Sequence, residues 1–149
     1  MEIMMIYKSK RCSILLIASI FFLTGCPGSG DRLTADETTT VSQTREDVCF
    51  VVSNAANYQP SLISINPRGT PPQKLSVTDS PDLRVKNGRL CIQPNFYRFT
   101  DKAQYVVQYI LEAPGGLPQR SVVTGIEFSQ GQVKSIPLKD SEITRGSTH

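Results

Sequence analysis

Short runs of strand-forming residues, separated by turn-forming residues, make up most of the chain after residue 40. The runs are rich in valine, isoleucine, tyrosine and phenylalanine, and proline, glycine, asparagine and aspartate lie between them. No stretch among them offers a credible helix, so the pattern predicts an all-β domain. We expect strands at Val48–Ser53, Leu62–Ile65, Lys74–Thr78, Leu83–Lys86, Arg89–Gln93, Gln104–Glu112, Ser121–Ser129 and Gln132–Leu138.

The dipeptide Asn87-Gly88 is the strongest hairpin signal, because both residues tolerate the positive φ angles that a two-residue turn requires. Between Gln104 and Glu112, alternation predicts that one face of the strand is core and the other mostly solvent. Seven to nine short strands in about 110 residues, without a crossover helix, predict an immunoglobulin-like β-sandwich. A small β-barrel is the alternative.

The first 25 residues differ from the rest. A basic stretch with Lys8, Lys10 and Arg11 precedes ten apolar or small residues from Ile14 to Leu23. Ten residues are too few to span a bilayer, which takes about 20. The order is typical of an export signal, with residues 1–25 as the signal peptide.

The last three residues of the signal peptide and the cysteine that follows them, Leu23-Thr24-Gly25-Cys26, resemble the bacterial lipobox. The resemblance implies cleavage before Cys26 and acylation of that cysteine by a diacylglyceryl group and an amide-linked fatty acid such as palmitate. Two or more acyl chains anchor a protein stably. The lipid bilayer is therefore an expected partner, and we expect a periplasm-facing protein at the outer rather than the inner membrane. A secreted protein or a short uncleaved anchor is the alternative.

Charge changes when the signal peptide is removed. The chain has 16 Lys+Arg and 13 Asp+Glu, a formal net charge of +3. Without Lys8, Lys10, Arg11 and Glu2, the counts become 16 − 3 = 13 and 13 − 1 = 12, so the net charge is +1. This balance gives no electrostatic reason to expect a nucleic-acid partner.

Composition divides the remainder. Residues 26–40 contain few apolar groups and two glycines, and they predict a flexible tether. Residues 41–140 hold the predicted sandwich, and residues 141–149 predict a frayed tail.

Four cysteines leave one pair. Cys12 lies in the signal peptide and Cys26 is the predicted acylation site, so Cys49 and Cys91 remain. In an exported domain they predict one disulfide, with two buried thiols as the alternative. The residues on both sides of Cys91 are apolar and the chain has no tryptophan, so the bridge need not join the two sheets.

Catalytic residues are hard to find in this sequence. The single histidine, His149, is the last residue, so Ser-His-Asp or Cys-His catalysis and a zinc site lack support. Asp79 and Asp82 flank Ser80-Pro81 and are typical of a turn, with a calcium or acid/base site as the alternative. We therefore expect no enzyme activity, no metal, no cofactor and no small-molecule substrate.

Two clusters could contact a protein partner. Lys86 and Arg89 should be neighbours across the hairpin, and with Arg98 they are our candidates for binding an acidic partner. A solvated hairpin end is the alternative.

The second cluster is aromatic. We predict that it packs in the core, with a binding platform as the alternative. The cluster consists of Phe96, Tyr97, Phe99, Tyr105 and Tyr109.

Several short blocks resemble a group of small enterobacterial lipoproteins described as type VI secretion immunity lipoproteins of the periplasm. The blocks are residues 23–32, Val48-Cys49-Phe50, residues 87–94, Tyr97, Phe99 and Tyr105-Val106-Val107.

The resemblance carries over only Cys26, Cys49 and Cys91 as functional positions. It implies an immunity protein that binds and neutralises a secreted toxin or effector. The alternative is a structural or assembly lipoprotein of the cell envelope, or of a secretion or surface-appendage system.

Overall fold

Nine strands make up the domain in the computed structural model, which describes residues 36–143. Two short 3-10 helices, Pro72–Lys74 and Asp140–Glu142, lie in the connections. The strands are β1 (Val41–Thr44), β2 (Asp47–Val51), β3 (Gln59–Pro67), β4 (Thr78–Asp79), β5 (Val85–Lys86), β6 (Arg89–Ile92), β7 (Ala103–Glu112), β8 (Arg120–Ser129) and β9 (Gln132–Ile136).

The strands form two antiparallel sheets, with the orders β1-β2-β6-β5 and β4-β3-β7-β8-β9. Immunoglobulin domains have the orders A-B-E-D and C-F-G. The same order is found here, with β4 added beside β3 and β9 added beside β8. The prediction of an immunoglobulin-like sandwich is therefore confirmed, and the sheets do not close into a barrel.

The core lies between the sheets and is built by alternation along the strands. Phe50 of β2 and Tyr109 of β7 are fully buried, and their ring centroids lie 6.0 Å apart. Every second residue of β7 belongs to this core, as predicted. The largest buried side chains are Tyr109, Phe50, Ile63, Leu90, Ile92, Leu111 and Ile126.

Three of the last four residues of the predicted tether, Glu37, Thr39 and Thr40, are hydrogen-bonded to the sandwich. The N–H of Glu37 donates to the carbonyl of Ser121 at 2.7 Å, and the N–H of Val123 donates to the carbonyl of Glu37 at 2.8 Å. The N–H of Val51 donates to the carbonyl of Thr40 at 3.2 Å. The chain therefore joins both sheets before β1 begins.

The start of the predicted tail is also held. Glu142 accepts hydrogen bonds from the guanidinium of Arg68, with Nη2 and Oε1 2.6 Å apart. Cys26, the signal peptide, residues 26–35 of the tether and residues 144–149 of the tail lie outside the described residues, so their predictions stay predictions.

The strand predicted at Lys74–Thr78 is mostly wrong. A 3-10 helix ends at Lys74, and only Thr78–Asp79 pairs with β3. Between them, the N–H of Ser76 donates to Oδ1 of Asn66 at 2.8 Å. A side chain therefore takes the place of the strand ladder at this point.

Candidate functional site

The hairpin of β5 and β6 has the predicted two-residue turn. Asn87 has a φ of 52° and Gly88 a φ of 70°, as a turn of this type requires. The turn places Lys86 directly opposite Arg89. The carbonyl of Gly88 accepts the N–H of Val52 at 2.8 Å, so the turn is fixed to the end of β2.

The predicted Cys49–Cys91 disulfide is confirmed. It joins β2 to its neighbour β6, with the two residues directly opposite in the register and their Cα atoms 4.0 Å apart. Because Leu90 and Ile92 point into the core, Cys91 lies on the outer face of the four-stranded sheet. The disulfide therefore links two neighbouring strands of one sheet and does not connect the two sheets.

A groove of about 650 Å³ runs along this outer face beside the hairpin. Arg84, Lys86 and Arg89 are exposed along it, and none of the three forms a salt bridge within the described part of the chain. The residues that line the groove are Asp47, Asp82, Leu83, Arg84, Lys86, Asn87, Arg89, Cys91 and Gln93. We call this surface the basic groove.

The third predicted binding residue, Arg98, does not belong to the basic groove. It is exposed in the loop that leaves β6 after Ile92, whereas the hairpin turn lies before Arg89 at the other end of the strand. The structure brings Lys86 and Arg89 together and adds Arg84, while Arg98 stands apart.

The residues of the basic groove come from distant parts of the sequence. Asp47 begins β2, and Asp82 and Arg84 lie in the connection between β4 and β5. Hairpin pairing predicts Lys86 beside Arg89, and two-residue alternation from Lys86 could have added Arg84. No local signal could have added Asp47, because it depends on the pairing of β2 with β6.

A family model matches residues 36–131 and is described as a domain of unknown function, DUF7480. The chain belongs to the DUF7480 family. No curated protein and no solved structure matches it. The DUF7480 region contains β1 to β8, the disulfide and the whole basic groove, and it ends at Gly131 in the turn before β9.

The aromatic cluster of the DUF7480 region packs against the core. Phe99 stacks on Phe128 at 5.3 Å and meets Tyr105 edge-on at 5.1 Å between ring centroids. The hydroxyl of Tyr105 accepts the N–H of Thr100 at 2.8 Å. Burial raises the pKa of Tyr97. These contacts close one end of the sandwich, which is the packing role predicted for the cluster.

A bidentate ion pair fixes the start of the DUF7480 region. Nε and Nη2 of Arg120 donate to the two carboxylate oxygens of Glu37 at 2.7 and 2.6 Å, and these bonds hold the pKa of Glu37 below its usual value. The same guanidinium lies 5.0 Å from the ring centroid of Tyr58. This pair is structural, because it ties the segment before β1 to β8.

Metal-binding groups are not assembled in the described residues. Within 36–143, no three His, Cys, Asp or Glu side chains are placed to hold a metal ion. In the same range, no helix has the length and apolar character needed to cross a membrane.

Proposed function

We propose that the protein is a lipid-anchored immunity protein that binds and neutralises a toxin delivered into the periplasm by a type VI secretion system. Acylated Cys26 holds it in the membrane, at the outer rather than the inner membrane, with the sandwich facing the periplasm. The toxin is bound through the basic groove. Neutralisation by binding requires no catalytic residue.

The observation that carries this proposal is the basic groove itself. Lys86 and Arg89 on the hairpin and Arg84 just before β5 are exposed, and none of them forms an ion pair within residues 36–143. Two acidic side chains, Asp47 and Asp82, also line the groove, so its three basic residues leave a formal net charge of +1. An exposed positive charge speeds the encounter with a partner of opposite charge. The expected partner surface is therefore acidic.

The groove is also rigid enough to recognise a partner. The disulfide crosses its floor between β2 and β6, and the backbone of the hairpin turn is bonded to Val52. A surface that is already ordered loses little conformational entropy when a partner binds. A standard interface takes about 800 Å² from each partner, so a toxin bound at the groove would also contact the surface around it.

A protection assay tests the proposed function. A strain that lacks this gene and the adjacent effector gene is challenged by a sibling that delivers the effector into the periplasm. We expect killing, and rescue by the gene supplied in trans. The variant Arg84→Glu/Lys86→Glu/Arg89→Glu should rescue poorly, while Arg98→Glu, which reverses an exposed charge outside the groove, should rescue fully.

Anchoring is tested separately by mass spectrometry of the mature protein. The N-terminal peptide should begin at Cys26 and carry the mass of the lipid. A peptide that begins elsewhere, or that carries no lipid, would contradict the anchor. If deletion leaves survival unchanged against every neighbouring effector but alters envelope integrity or appendage assembly, the structural role replaces the immunity role.

A further inference from the structure

The strand β4 lies at the edge of the five-stranded sheet. Thr78 pairs with β3, and the N–H of Ser80 donates to the carbonyl of Ser61 at 2.8 Å. In an antiparallel ladder, alternate residues turn their N–H and C=O groups to the same neighbour. The N–H and C=O groups of Val77 and Asp79 therefore point away from β3. No hydrogen bond from the described residues reaches these groups.

The backbone before β4 is fixed in the same orientation. The N–H of Ser76 donates to Oδ1 of Asn66 at 2.8 Å, and the carbonyl of Ser76 accepts Nδ2 of Asn66 at 3.1 Å. Ser76, Thr78 and Ser80 thus all face β3. The free edge between them is extended before any partner binds, which lowers the entropic cost of binding.

This edge also exposes apolar side chains. Leu75 is 48% exposed and Val77 is 54% exposed. Proteins usually protect an edge strand with a charge, a proline or a covering segment. At the other short edge strand, β5, the side-chain amide of Gln59 accepts the N–H of Val85 at 2.8 Å and donates to its carbonyl at 3.3 Å. No side chain among residues 36–143 covers the outward-facing backbone of β4 in this way, and the protection of β4 consists of its short length and the charge of Asp79.

A slot with a mixed polar and apolar lining opens beside Thr78. It has a volume of about 110 Å³ and lies between the inner face of β3 and the loop after β6. Its walls are Ile63, Ile65, Ser76, Thr78, Phe96 and Tyr97. A strand added next to β4 would place the side chain opposite Thr78 on the same face as Thr78, beside this slot.

The charge of Asp79 and the apolar side chain of Val77 determine which way a strand added at this edge would run. Asp79 is exposed and forms no salt bridge with any residue that the structure describes, and two residues before it Val77 presents an apolar side chain on the same face. Opposite charges and apolar pairs facing each other across strands are favourable, and like charges are unfavourable.

We propose that the free edge of β4 binds an extended segment of another protein, which adds to the sheet as an antiparallel strand. In the order of its sequence, the segment has a basic residue opposite Asp79, an apolar residue at the slot beside Thr78 and an apolar residue opposite Val77. Main-chain bonds give the affinity, and the three side chains give the specificity. This site is separate from the basic groove and does not depend on the immunity function.

A peptide titration on the full-length chain in mild detergent tests the site. The probe is a labelled, terminally capped peptide of sequence Thr-Lys-Leu-Val-Thr, and its controls are Thr-Glu-Leu-Val-Thr and the reversed sequence Thr-Val-Leu-Lys-Thr. We expect the probe to bind about fivefold or more tightly than either control. Hydrogen exchange of the amides of Val77 and Asp79 should slow when the probe is bound.

Two variants make the outcome decisive. Val77→Pro removes an outward-facing donor that β3 does not use, and it should weaken probe binding about tenfold or more. Asp79→Lys should reverse the preference between the lysine and glutamate peptides. Glu46→Lys makes the same charge change in the turn between β1 and β2 and should leave the preference intact.

Three results would overturn the proposal: no measurable binding of the probe, equal binding of all three peptides, or binding unaffected by both β4 variants. Dimerisation of the chain that Val77→Pro abolishes, without peptide binding, would assign the edge to a second copy instead. Loss of peptide binding with intact protection in the challenge assay would leave the proposed immunity function standing.

Discussion

Cys91 carries the clearest test at the scale of single residues. Its disulfide closes a loop with a sequence separation of 42 residues, so its loss frees the unfolded chain. Cys91→Ala should lower the free energy of unfolding by about 2–5 kcal/mol, measured by urea denaturation. Wild-type protein measured with a reductant should fall to a similar stability. Recovery of both cysteines as alkylatable thiols from folded, periplasm-derived protein would contradict this prediction.

Glu142 gives a pH-dependent test. Hydrogen bonds from Arg68 hold the pKa of Glu142 below its usual 4.5, and its side chain is 12% exposed. Because the folded pKa lies below the unfolded one, the stabilisation is complete above about pH 4.5 and is lost as the pH falls through the lowered value.

The variant Glu142→Gln measures this contribution. At neutral pH the wild type should unfold at a free energy about 1–3 kcal/mol higher than the variant. The difference should shrink as the pH is lowered below about 4.5. Urea denaturation of both proteins across this range measures it, and a difference that stays constant with pH would show that the carboxylate charge is not the cause.

Residue types alone predicted the disulfide and the turn at Asn87-Gly88, because each depends on chemistry that few residues provide. They did not predict the role of Glu37, assigned to the tether. Its bidentate bond to Arg120 joins residues that are 83 positions apart. No local sequence pattern around either residue indicates that the two side chains pair.

Close packing of β8 against β9 provides a test at the scale of elements. Gly125 lies opposite Ile136, and a Cβ at Gly125 would lie 2.9 Å from the carbonyl oxygen of Ile136. Alanine normally stabilises a strand relative to glycine. Here Gly125→Ala should destabilise the fold by about 1–3 kcal/mol, because the obstructing atom is backbone and β9 must move.

Thermal and urea denaturation measure this effect, and hydrogen exchange of the β9 amides should show the strand loosening first. Ser129→Ala at the end of β8 serves as the control and should change stability little. A Gly125→Ala variant as stable as the wild type would show that β9 adapts without cost.

The long apolar strands were predictable, whereas the short polar strand β1 was not. β7 and β8 have ten residues each and are rich in strand-forming residues, so the sequence pattern indicates them clearly. β1 consists of Val-Ser-Gln-Thr, and one apolar residue is too few to show the alternation of apolar and polar residues that indicates a strand. β3 is longer than predicted because Pro60 lies at a register shift, where a missing N–H is tolerated.

At the scale of the whole molecule, the strand count and the absence of long helices were enough to predict the sandwich. The order of strands within each sheet was not, and the basic groove depends on that order. Lys86 and Arg89 meet because they are local in sequence, whereas Arg98 is nine residues from Arg89 and beyond the far end of β6. Proximity in sequence therefore predicted two of the three binding candidates to be together.

The proposed immunity function requires direct binding to a toxin, which we expect to be encoded beside this gene. Stopped-flow association of the two purified proteins measures that binding. We expect a one-to-one complex whose association rate falls with added salt. The rate should drop about tenfold or more in Arg84→Glu/Lys86→Glu/Arg89→Glu and change little in Arg98→Glu. Absence of a complex, or equal rates for the wild type and the triple variant, would contradict the account.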